Sequence, residues 1–108
     1  GQGGGQGGGR DNGFDSHGID PAKQWGFVQA VRVGDLGRVQ YMLKYDSGCI
    51  DIQHRDRWGS TPLYYASLCG HADVVRFLLR MGARADEKTF DGERAYYAAL
   101  TDEIRHVL

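Results

Sequence analysis

A chain of 108 residues, 41% hydrophobic and 25% charged, has room for one domain and no more. Its 13 Lys and Arg face 14 Asp and Glu; setting aside Arg10, Asp11 and Asp15 leaves residues 19–108 with 12 of each sign. A balanced surface has no field to draw nucleic acid or anionic lipid, so a protein is the expected partner. No apolar run nears the roughly 20 residues that span a bilayer, and no charged-then-apolar signal segment opens the chain. The expected location is cytoplasmic, with the nucleus as a second compartment. Cys49 and Cys69 form no C-x-x-C pair and are expected to stay reduced.

Residues 1–13, GQGGGQGGGRDNG, hold eight glycines and no large apolar side chain. Such a stretch cannot offset its ordering entropy, and residues 1–18 are expected to form a flexible tail. Neither G-x-x-x-x-G-K-[ST] nor G-x-G-x-x-G occurs, so the glycines do not point to a nucleotide. Asp20-Pro21 then predicts a helix start, with Asp20 as cap and Pro21 at the first helical position. Trp25, Phe27, Val28, Ala30 and Val31 make that helix strongly apolar and buried on at least one side. Gly34-Asp35 closes it and caps a second helix, Leu36 to Tyr45. After the loop Asp46-Ser47-Gly48, the alternation of Ile50, Asp51, Ile52 and Gln53 predicts an extended segment.

The pattern repeats from Arg57. Thr61 can cap a helix that begins with Pro62; Leu63, Ala66 and Ser67 form its small apolar face, and Gly70-His71 breaks it. Val74, Val75, Phe77, Leu78 and Leu79 form a second stripe at helical spacing, with Gly82 as a left-handed stop. A third copy starts at Phe90-Asp91-Gly92-Glu93 with Arg94-Ala95 in place of Thr-Pro. Thr101-Asp102 is a shortened loop before a last helix from Glu103 to Leu108.

The order G-x-T-P-L, then A, then G-H, then V-V-x-x-L-L-x-x-G-A resembles the ankyrin repeat. Tyr64 stands where that signature has His, which puts the usual His bonds to the turn in doubt. Ala30 and Gly34 match Ala66 and Gly70 at a separation of 36, Gly59 matches Gly92 at 33, and the extra three residues fall in Asp46-Ser47-Gly48. The resemblance implies an all-α solenoid of about three stacked helix-turn-helix units with short β-hairpin-like tips. The units are placed at about 19–54, 55–87 and 88–108, the last degenerate and truncated. The expected core is Phe27, Ala30, Leu36, Val39, Met42, Leu43, Leu63, Ala66, Val74, Val75, Leu78, Leu79, Tyr96 and Ala99.

No catalytic, metal or cofactor constellation is present in the sequence. His17, His54, His71 and His106 stand apart without ligand spacing, and His71 falls where ankyrin repeats carry a structural His. Asp102 and Glu103 are explained by the helix dipole. The expectation is a non-enzymatic protein-binding module without cofactor.

In ankyrin arrays the tips and first helices line a concave face that selects the partner. Carried over, this implies Arg57, Trp58, Ser60, Leu68 and Cys69 in the second unit, and Phe90, Asp91 and Glu93 with Thr101 and Asp102 in the third. Arg32 and Val33 match in the first. Trp58 and Phe90 lead, since aromatics and Arg dominate interface hot spots; the competing expectation is that Trp58 packs on its own neighbours. His54, Arg55 and Arg57 lean basic, while Asp86, Glu87, Asp91 and Glu93 lean acidic, which could orient a partner or be a solvated face.

The wording of Asp56 to His71, then Gly82 to Arg84 and Thr89 to Arg94, is similar to the N-terminal ankyrin segment of ankyrin-repeat and BTB/POZ-domain proteins; the Tyr64-Tyr65 pair belongs to this narrower match. It implies BTB domains in the same longer chain, a cullin reached through them, and a recognition or scaffolding role in a ubiquitin-ligase adaptor. The alternative expectation is a structural element that packs in cis on following domains.

Overall fold

A computed structural model describes residues 18–108, so the expected tail, Gly18 excepted, and His17 lie outside the described residues. Helix α1 spans Pro21–Val33. The Asp20 carboxylate accepts the Ala22 N–H at 3.0 Å, and Pro21 opens the first turn. Gly34, at φ 79°, ends it in the left-handed region. Asp35 then caps α2, Leu36–Tyr45, by accepting the Arg38 N–H at 3.1 Å. The inserted loop becomes a single 3-10 turn, Ser47–Cys49, whose Cys49 carbonyl accepts the Asp20 N–H at 3.0 Å.

The remaining helices follow the same chemistry. Thr61 caps α3, Pro62–Leu68, through the Tyr64 N–H at 3.2 Å. Next come α4, Ala72–Arg80, and α5, Ala95–Ala98. Thr101 caps α6, Asp102–Val107, by accepting the Ile104 N–H at 3.3 Å. Helix α3 packs between α1 and α5 while α4 packs between α2 and α6, so each helix pair stacks on the next. The core lies between these two layers: Phe27, Val31, Val39, Leu63, Ala66, Val74, Val75, Leu78 and Ile104 are each at most 1% exposed. Burying one large aliphatic or aromatic side chain stabilises by about 1.5–3 kcal/mol, which is what makes helices this short persist.

Loops of successive units approach closely at glycines. A Cβ on Gly34 would lie 2.5 Å from the His71 ring, and one on Gly70 would lie 2.5 Å from the Leu100 side chain. Both glycines also have positive φ, so the stack needs glycine there twice over. His71 fixes the first contact with a 2.8 Å hydrogen bond between Nε2 and the Arg32 carbonyl, the structural role expected of it. Leu100 fixes the second with its N–H on the Ser67 carbonyl at 3.0 Å.

Three expectations need correction. Tyr96 is 43% exposed because α5 is a single turn, ended where Ala99 turns to ψ 128°; Ala95 and Ile104 fill the core instead. Leu36 and Leu79 sit at the core's margin, partly buried. Ile52 and Gln53 are drawn into a turn rather than an extended run, and the Asp51 carboxylate accepts the Gln53 N–H at 2.8 Å.

Candidate protein-recognition groove

Helix α1 turns one face inward and another toward an open groove. Phe27, Ala30 and Val31 belong to the core, while Pro21, Trp25, Val28 and Arg32, at helical spacing on another face, line a groove of about 970 Å³. The groove is also lined by the strap that leaves the first unit, with Asp51 and His54, by the second tip, with Asp56, Arg57 and Trp58, and by Tyr65 of α3.

The strap is held to α1 by one buried amide. Gln24 Nε2 donates to the Asp51 carbonyl at 3.0 Å and its Oε1 accepts the Asp51 N–H at 2.7 Å. A buried side-chain amide is tolerated only when satisfied in this way. The tip is organised by Asp56, whose Oδ1 accepts the N–H groups of Trp58 at 2.9 Å and Ser60 at 3.0 Å. Its Oδ2 accepts the Tyr65 hydroxyl. Burial alone would push the Asp56 carboxyl up, but the bonds from Tyr65, Ser60 and Trp58 together hold it below its usual range. Burial and the same carboxylate push the Tyr65 phenol up.

Above this frame stand the exposed groups. Trp25 is 67% and Trp58 60% exposed, both facing the groove. The Arg57 guanidinium lies 5.3 Å from the Trp58 ring, and that of Arg32 lies 5.3 Å from the Tyr65 ring.

The third tip is built differently. The Phe90 N–H donates to the Trp58 carbonyl at 2.9 Å, and the Phe90 ring presses on Gly59, leaving less than 3 Å for a Cβ there. Arg55 straddles the two tips: it donates to the Gly59 carbonyl at 3.2 Å, to Glu87 at 3.2 Å and to the Lys88 carbonyl, and it lies over the Phe90 ring. Tyr64, standing where His was expected, donates its hydroxyl to Glu93. Burial first, then that bond and the Glu93 charge, push the Tyr64 phenol up to about 12.

The residues expected to bind a partner are therefore divided rather than gathered. Arg57 and Trp58 line the groove. Ser60 is 6% exposed and is a buried part of the tip, not a contact surface. Leu68 is exposed and Cys69 half-buried at the far end of α3, outside the groove. Phe90, Asp91 and Glu93 sit on the third tip; all are exposed, but Phe90 and Glu93 are engaged by Gly59 and Tyr64. Part of the charge opposition between tips is likewise spent internally, in the Arg55–Glu87 pair. Sequence reasoning missed Trp25 and Val28 as groove residues. Their signal was a second helical stripe, Pro21, Trp25, Val28 and Arg32, beside the buried stripe of Phe27 and Val31.

Stacked helix pairs with glycine-dependent loops define the class, and the family model for ankyrin repeats (many copies) matches residues 47–98. The chain carries ankyrin repeats. Among its relatives, BTB/POZ domain-containing protein 3 of Schizosaccharomyces pombe is 44% identical over 74% of this chain, which spans 15% of that protein. Protein phosphatase 1 regulatory subunit 27 of Mus musculus is 36% identical over 69% of this chain, which spans 47% of it. Among solved structures, a chain in the complex of Bd0816 predatory endopeptidase from Bdellovibrio bacteriovorus with immunity protein Bd3460 superposes with TM-score 0.64 and 32% identity. That match covers 75% of this chain and 41% of the other. Ankyrin repeats typically serve as non-enzymatic protein-interaction modules. Among the described residues no helix is long and apolar enough to cross a membrane.

Proposed function

We propose that this chain is a non-enzymatic recognition module that holds a segment of a protein partner in the groove between α1 and the second tip. The observation that carries the reading is the pair of indoles, Trp25 and Trp58, more than half exposed along one groove. Large aromatics left in water over a rigid frame are the usual anchors of an interface. Arg57 and Trp58 are contact residues in this reading, with Phe90, Asp91 and Glu93 as its outer rim and Leu68 and Cys69 as a separate margin. Residues 19–108 act as one repeat array, without cofactor or metal, in the cytoplasm or nucleus.

In the whole protein, the likeness to ankyrin-repeat and BTB/POZ-domain proteins supports a further step. The array would select or scaffold a client while BTB domains of the same longer chain engage a cullin, making the protein a ubiquitin-ligase adaptor. A second reading, packing in cis against other domains, is favoured by Tyr97 and Leu100, 63% and 65% exposed on the last unit. Affinity capture from cells with the longer protein and its Trp25→Ala, Trp58→Ala variant tests these readings. Clients lost from the variant while a cullin stays bound support the adaptor. Identical protein lists, with lowered stability of the longer variant, support cis packing.

A further inference from the structure

The charges lining the groove balance in number, Arg32 and Arg57 against Asp51 and Asp56, but they are not equally open to an occupant. Asp56 keeps its charge, but its oxygens are taken up by the Trp58 and Ser60 N–H groups of its own tip and by the Tyr65 hydroxyl of α3. Asp51 accepts the Gln53 N–H, and its backbone is clamped to Gln24. Gln24 lies eight residues before Arg32 on α1, about 12 Å along the axis, so this acid sits toward the opposite end of the groove. Arg32 and Arg57 are left with no carboxylate partner among the described residues, whereas Arg55, Arg76, Arg84 and Arg105 each have one. Each of the two groove guanidiniums lies over a ring, Tyr65 or Trp58. Stacking uses the face of a guanidinium and leaves the N–H donors of its edge free for a bidentate acceptor.

We propose that the groove takes an acidic, extended segment of a protein partner, with a large apolar side chain between Trp25 and Trp58 and carboxylates on Arg32 and Arg57. The proposal rests on the recognition reading above and names its partner class. Between Pro21 and Arg32 the groove runs about 16 Å, the span of about five extended residues. Asp51 at the far end disfavours a second carboxylate there, so the acids of the segment are confined to the arginine end and the segment has one orientation.

The test is selection from a displayed library of random linear peptides against the full chain, counter-selected on the Trp25→Ala, Trp58→Ala variant checked for fold by circular dichroism. The expected groove-dependent binders carry Asp or Glu next to a large apolar residue. A synthetic binder should lose affinity about tenfold when its acids become Asn or Gln, and about as much with the Arg32→Gln, Arg57→Gln variant. Rising salt should weaken it. Groove-dependent binders that are neutral or basic, or acidic ones indifferent to the arginine variant, would overturn the acidic-partner proposal and leave the recognition reading standing. Binders that hold the tryptophan variant equally well would overturn both.

Discussion

The two junctions of the stack solve one problem in two ways. At each, a loop glycine of one unit is pressed by a side chain of the next: His71 on Gly34, Leu100 on Gly70. The tips differ more. Between the second and third units, Phe90, Arg55 and the Tyr64–Glu93 bond close the tips onto each other. Beside α1, the second tip is braced by the Asp56–Tyr65 bond, and Trp58 and Trp25 both stay exposed along one groove. Packing between tips makes a rigid edge, and bracing by that bond makes a rigid edge with a usable surface.

Several substitutions would break or sharpen that contrast. Phe27→Ala empties the core behind both junctions and should cost about 3–5 kcal/mol, read as a lowered denaturation midpoint. Gly59→Ala combines a φ of 80° with a Cβ 2.7 Å from the Phe90 ring. Its expected cost is about 2–4 kcal/mol, and it should open the closed junction. Gly92→Ala shares the φ, at 83°, but meets nothing within 4 Å, so it should cost only about 1 kcal/mol. The difference between these two glycines measures what the tip contact adds.

A pH titration addresses the braced tip. The folded Asp56 carboxyl lies below its ordinary value, so its contribution is present above that value and lost as pH falls through the depressed one. Melting temperature should therefore fall on acidification below about pH 4, and less steeply in Asp56→Asn. The smallest effect on stability is expected at Trp58→Ala, within about 0.5 kcal/mol, because the indole is mostly exposed. A larger loss would show that Trp58 is packing rather than contact surface.

Much of this fold is legible in local chemistry. Asp20-Pro21, Asp35 and Thr61-Pro62 each carry a cap whose hydrogen bond forms as the residue types demand, and the spacing of Gly34 and Gly70 marks where loops must touch. Tyr96 was misplaced because register alone matches it to Leu63, while burial also depends on which units stack around it. Trp25 was not singled out for a related reason: periodicity tells that a helix has apolar faces but not which one the next unit covers. Ser60 looked like a variable tip residue, yet its N–H is needed by Asp56, a bond that no spacing reveals. The groove itself is a product of stacking, so Arg57 and Trp58 could be named from the repeat pattern while Trp25 could not.

The central claim, that the space between Trp25 and Trp58 is where a partner is held, is most directly tested by heteronuclear NMR of the chain's two indole N–H groups. Titration with an acidic groove-selected peptide should shift both signals together along one saturating curve, with the amides of Phe90 and Asp91 responding less. Silent indoles, with the third-tip amides moving instead, would contradict it.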